Sequence, residues 1–133
     1  MNLVVVHFQN AQILKGQTLD FIPTKDRFHL LLADAAPGTK PLEILVDKLK
    51  AVFFVRSLSG GDPRQKKVNQ FAPDQKVQGK KIRITFKDGE VMLGMTQGFQ
   101  SGRSGFFVVP VDQNSNNHRS FVVTAATQEI TLL

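Results

Sequence analysis

Ile82-Arg83-Ile84-Thr85-Phe86-Lys87-Asp88-Gly89-Glu90-Val91-Met92-Leu93-Gly94 is the stretch that decides the fold. Ile82, Ile84 and Phe86 alternate with Arg83, Thr85 and Lys87, the period-two pattern of a strand with one buried face. Asp88-Gly89 follows, a pair favoured in tight hairpins because the turn needs positive φ. Val91 opens a second strand pattern, about 90–99, with Gly94 in its middle. A glycine inside a strand marks a bend, a bulge or a close backbone approach. A long strand bent there lets a small sheet curl into a barrel.

The same pattern is written 78 residues earlier. Residues 4–55 lie on 82–133 without a gap, and Phe8, Gly16, Thr18, Phe21, Phe28 and Asp34 fall on Phe86, Gly94, Thr96, Phe99, Phe106 and Asp112. Apolar positions agree between these identities: Val4/Ile82, Val6/Ile84, Ile13/Val91, Leu30/Val108, Ile44/Val122, Val52/Ile130 and Phe54/Leu132. The expected strands of the first copy are 3–8, 12–21, 28–32, 42–46 and 51–55. Those of the second are 82–86, 90–99, 106–110, 120–124 and 129–133. A single helical turn precedes each fifth strand, at 47–49 and 125–127. Asp34 and Asp112, where a strand ends, read as loop-capping residues. Phe8, Phe28, Phe86 and Phe106 are expected to fill the cores.

Residues 57–80 belong to neither copy. Ser59-Gly60-Gly61 breaks the strand, and Asp62-Pro63 is an N-cap followed by proline at the first helical position. A short helix over 64–71 is expected, stopped by Pro73. The domain reading is therefore 1–56, first repeat; 57–80, basic linker; 81–133, second repeat. Each repeat of about 52 residues is near the lower limit for folding alone, so the copies are expected to pack together or to oligomerise.

The formal charge is +6 in 133 residues, and its placement is uneven. Residues 1–55 carry six Lys/Arg and five Asp/Glu, residues 84–133 carry three and four, and residues 56–83 carry eight and two. A local basic patch binds polyanions better than a diffuse excess does. There is no cysteine, which excludes disulfides, thiolate zinc sites and a cysteine nucleophile. The N-terminus has no basic region, long apolar run or cleavage signal, and no stretch approaches the roughly 20 apolar residues of a membrane span. The expectation is a cytoplasmic protein with no membrane contact.

Enzyme chemistry finds little to build on. His7, His29 and His118 are scattered, and no His/Asp/Glu spacing matches a metal site. Asp88 and Glu90 flank a turn, which explains them without catalysis. No cofactor, metal or catalytic residue is expected.

Five strands, a glycine-bent second strand and one helical turn before a short fifth strand resemble the Sm-like small β-barrel. The stretch 82–94 looks like the start of the first Sm signature, and the segment 64–71 takes the place of the helix that precedes it. The resemblance implies an all-β fold: two five-stranded Sm-like barrels in tandem, with a short helix in the linker. The RNA-contacting residues of the ring-forming Sm proteins do not carry over. The corresponding loops read Phe21-Ile22-Pro23-Thr24, Phe99-Gln100-Ser101-Gly102, Asp47-Lys48-Leu49-Lys50 and Ala125-Ala126-Thr127-Gln128. The chain also looks similar to an uncharacterised bacterial domain associated with PilZ-containing signalling proteins, though it lacks the PilZ cyclic-dinucleotide pattern.

Two binding readings remain. The first is a protein-interaction or self-association module. The resemblance implies pairing of the fourth strand of one barrel with the fifth strand of the next, with Leu42, Ile44, Val46, Ile130 and Leu132 as edge candidates. Val52-Phe53-Phe54-Val55 is apolar on both faces, so Phe53 and Val55 need a second covering surface. The alternative is nucleic-acid, chiefly RNA, binding. Its candidates are Arg64, Lys66, Lys67, Lys76, Lys80, Lys81 and Arg83, with Arg103, Asn116, Asn117, His118 and Arg119 as a second surface. Eleven Phe and no Tyr or Trp, most of them in strand patterns, leave no evident stacking platform.

Overall fold

The computed structural model describes residues 2–59, 79–99, 102–111 and 115–133. The strands are β1 (Asn2–Phe8), β2 (Ile13–Thr18), β3 (Arg27–Leu32), β4 (Leu42–Leu45) and β5 (Leu49–Val55), then β6 (Lys80–Phe86), β7 (Val91–Thr96), β8 (Gly105–Pro110), β9 (Asn117–Val123) and β10 (Thr127–Leu132). Single 3₁₀ turns, Val46–Lys48 and Thr124–Ala126, precede β5 and β10. Elements of the second half follow those of the first at an offset of 78. The register repeats too: Asn2 faces Thr18 and Lys80 faces Thr96.

The chain is all-β, and its strands form one open antiparallel sheet of ten, in the order β10-β6-β7-β8-β9-β5-β1-β2-β3-β4. The two expected five-stranded units are joined, at the level of strand pairing, into one continuous sheet. The expected linker helix over 64–71 lies outside the described residues, as does Asp112. Strand boundaries shift from the sequence reading, most clearly where β5, β6 and β10 each begin two residues earlier, at Leu49, Lys80 and Thr127. The second strand of each half is shorter, ending at Thr18 and Thr96. The run Asn117-His118-Arg119, expected in a loop, is the start of β9, because it has the end of β5 to pair with.

The glycines inside β2 and β7 serve close backbone approach. A Cβ on Gly94 would lie 2.5 Å from the Val109 carbonyl oxygen, and one on Gly16 would overlap the Leu31 carbonyl. Any side chain would therefore push β3 or β8 away. At the hairpin after β6, Gly89 has φ 93°, while Ala11 takes the matching left-handed turn at φ 74° in the first half.

Two cores result. The second contains Ile82, Ile84, Phe86, Phe106, Val108, Val122 and Ala126. The first contains Val4, Val6, Phe28, Leu30, Val52 and Phe54, and it also takes in Phe121 and Val123 from the second half. Neighbouring residues of a strand point to opposite faces, so β9 serves both cores, Val122 in one and its two neighbours in the other. β5 is buried on both faces: Val52 and Phe54 are fully buried, and so is Ala51 on the other side, with Val55 at 7 %. Phe53 is partly buried, and the His7 ring meets it edge-on at 4.6 Å.

Candidate interaction site

The junction between the halves is the β5·β9 pair, running from Ala51 opposite Val122 to Val55 opposite Asn117. It joins the fifth strand of the first half to the fourth strand of the second. The intrachain version of the expected edge contact, β4 with β10, does not occur: these strands occupy the two ends of the sheet.

Side chains lock the junction at both ends. At one end, Lys50 on β5 donates to Asp88 at 2.7 Å and lies 3.1 Å from Glu90, both in the β6–β7 turn. Its Nζ also sits 4.7 Å from the Phe86 ring centroid. Burial pulls the Lys50 pKa down, but the bonds to Asp88 and Glu90 outweigh it and the net shift is upward. The hydrogen bond from Lys50 holds the Asp88 carboxyl below its ordinary value. At the other end, the Arg119 guanidinium lies over both the Phe54 and Phe107 rings, 4.6 and 4.5 Å from their centroids, which are 5.9 Å apart. Asn116 clamps Ser57 like an added strand residue: its Oδ1 accepts from the Ser57 amide at 3.0 Å and its Nδ2 donates to the Ser57 carbonyl at 2.9 Å. Arg56 donates to the Ser115 carbonyl.

An aromatic cluster fills the space between these ends. Phe21, from the loop after β2, makes edge contacts with Phe28, Phe54, Phe107 and Phe121 at centroid distances of 5.1 to 6.2 Å. Its counterpart in the second half, Phe99, meets Phe106 at 4.9 Å and no other ring among the described residues. Phe99 and Leu132 instead line a cavity of about 380 Å³ beside β10, together with Lys80 and Thr96. Among the described residues, no strand pairs with β10 on its outer side.

The edge candidates divide accordingly. Leu132 is 45 % exposed and Leu42 42 %, whereas Ile44 is buried. Val46 belongs to the 3₁₀ turn rather than to β4 and is buried, so it drops out as an edge residue. Ile130 is partly buried and packs against the second core. Leu45, which sequence reasoning passed over, is the exposed β4 apolar residue that follows Ile44.

Of the polyanion candidates, Lys80 and Arg83 are exposed on β6 and Lys81 is partly covered. Arg64, Lys66, Lys67 and Lys76 lie outside the described residues. In the second surface, Arg119 and Asn116 are engaged in the junction, and the Asn117 side chain meets Ser120 Oγ at 2.6 Å. His118 and Arg103 are exposed. Burial, then the charges of Arg119 and Arg56, lower the His118 pKa. A shallow cleft of about 590 Å³ opens between the two β2-to-β3-type loops, where Lys25 and Arg103 stand at matching positions. Thr124 also lines it, and its Oγ1 is buried without a hydrogen-bond partner in the described structure. Among the described residues no three His, Asp or Glu side chains converge on a metal-sized site, and no helix is long and apolar enough to cross a membrane.

A family model described as a family of unknown function, DUF6982, matches residues 1–133. The chain belongs to that family. No curated protein and no solved structure matches it. The DUF6982 match spans both halves and the segment between them.

Proposed function

We propose that the chain is a non-catalytic interaction and assembly module that works by strand addition at its two sheet edges, β10 and β4. Its building blocks on this reading are two Sm-like five-stranded units. One observation supports it: the β5·β9 junction is itself a fourth-strand-to-fifth-strand pairing, and among the described residues the sheet ends in a copy of each partner, β4 and β10, with no strand paired on its outer side. A strand edge presents a row of free N–H and C=O groups that another strand can satisfy. The cavity lined by Phe99 and Leu132 together with Lys80, Thr96 and Gln97 offers a mixed apolar and polar foothold beside β10.

A synthetic peptide of residues 117–124, the natural partner of a fifth-strand edge, tests the reading. Added to the full chain, it slows hydrogen exchange of the β10 amides while leaving β5 unchanged. Unaltered exchange of β10 at millimolar peptide overturns strand addition. Exposed Lys80 and Arg83 favour a second reading, polyanion binding together with the basic linker. That reading requires RNA affinity that falls steeply with salt and drops in Lys80→Glu/Arg83→Glu.

A further inference from the structure

We infer that the partner at the β10 edge is the β4 edge of a second copy of this chain, joined head to tail and selected by an uncharged version of the Lys50 latch. The inference rests on strand addition as the function.

Carrying the junction register forward by 78 places Glu129 opposite Ile44, Ile130 opposite Glu43 and Thr131 opposite Leu42 of the second copy. In this register the exposed Leu45 takes the place of Val123, which the junction buries in the core of the neighbouring half. Glu43 takes the place of Phe121 and brings its own cation, since Arg27 lies 3.4 Å from it on β3. Pro41 takes the place of Arg119, so the outer contact lacks the cation over two rings and is weaker than the inner one.

The latch carries the argument for a second copy. The charged groups of the latch at one end of the inner junction are Lys50, Asp88 and Glu90. At an offset of 78 their counterparts are Gln128 on β10 and Asn10 and Gln12 in the β1–β2 turn. All three are neutral amides, on both sides of the contact. Asn10 keeps the local role of Asp88: its Oδ1 accepts the Gln12 amide at 2.9 Å, as the Asp88 Oδ1 accepts the Glu90 amide at 3.0 Å. An amide facing two amides satisfies donors and acceptors on both sides. Crossed pairings are poorer: Lys50 against Asn10 and Gln12 loses its counter-charges, and Gln128 against Asp88 and Glu90 leaves two carboxylates uncompensated. Such mismatches give specificity by disfavouring the wrong partner. The pattern directs first half to second half within a chain, and second half to first half between chains. A heterologous contact of this kind closes into a ring or runs on as a filament.

Sedimentation equilibrium of the full chain tests this with two blocked variants, Leu45→Lys on β4 and Leu132→Lys on β10. Both sites are exposed, and circular dichroism checks that each variant is folded. The wild type is expected to grow beyond the monomer with concentration. Each variant alone stays monomeric, and an equal mixture forms a one-to-one dimer through the edge each has left. Homodimers of a single variant overturn the head-to-tail arrangement. In the mixture, Gln128→Lys on the Leu45→Lys chain weakens the dimer, and Asn10→Asp/Gln12→Glu on the Leu132→Lys chain restores it by about tenfold or more. No restoration overturns the latch. A wild type that stays monomeric while the 117–124 peptide still protects β10 overturns the second copy and leaves strand addition standing.

Discussion

Lys50 Nζ lies 2.7 Å from Asp88 Oδ2, so a strand of the first half grips the hairpin turn of the second. The ammonium is well covered, while the carboxylates of Asp88 and Glu90 remain about half exposed. Solvent screening therefore keeps the pair modest. Lys50→Met, which preserves the stem against Phe86, is expected to cost about 1 kcal/mol in urea denaturation. Because Lys50 depresses the Asp88 pKa, its contribution is present above the ordinary carboxylate value and disappears as pH falls through the lowered one. The Lys50→Met deficit should shrink accordingly in strong acid.

His7 titrates below its ordinary value of 6.5, first because it is partly buried and then because Lys50 is near, with Glu90 and Asp88 opposing. The unfolded chain therefore takes up a proton at higher pH than the folded one. Stability is full above pH 6.5 and falls as pH drops through the folded value. The urea midpoint at about pH 5 should lie below that at about pH 7.5. In His7→Phe, which keeps an aromatic contact to Phe53, that difference should narrow. An unchanged gap would assign the pH dependence to other groups.

Arg119 over the neighbouring rings of Phe54 and Phe107 is a planar cation in contact with both. A lysine carries the charge but not the plane. Arg119→Lys is expected to destabilise the fold by about 1 kcal/mol, and Arg119→Ala by about 2 kcal/mol, through lost cation–π contact and lost packing. Thermal unfolding of the two variants side by side checks the order.

Gly94→Ala places a methyl 2.5 Å from the Val109 carbonyl oxygen, a backbone atom that yields only by moving β8. The expected loss is about 2–3 kcal/mol. Gly98→Ala makes the control, because a Cβ there meets nothing within 4 Å. Equal losses at both positions would contradict close strand approach as the cause.

The strands were legible in the sequence wherever alternation and the 78-residue echo coincided, as at Ile82, Ile84 and Phe86 against Val4, Val6 and Phe8. Gly16 and Gly94 announced close approach, and the two-faced run Val52–Val55 announced a strand covered on both sides. Three things were hidden. Lys50 and Asp88 are 38 residues apart in different halves, and nothing local pairs them; the faint signal was a lone lysine entering an apolar run. Arg119 and Asn116 looked like loop polar residues because their structure comes from β5, a strand 60-odd residues away. Phe21 reads as the last residue of an expected strand 12–21, yet it lies in the loop after β2 and is the ring on which the junction cluster closes. In each case the deciding contact crosses between the halves, where local pattern has no reach.

The sharing of β9 between two cores has a consequence for how the molecule comes apart. Phe121 and Val123 are interior to the first half although they are encoded in the second. Removing the second half therefore uncovers the first, and the first cannot keep its core if β9 melts away. Among the described residues the second core draws none from the first half, so the dependence runs one way. In hydrogen exchange, the core amides of the first half should never stay protected longer than those of β9.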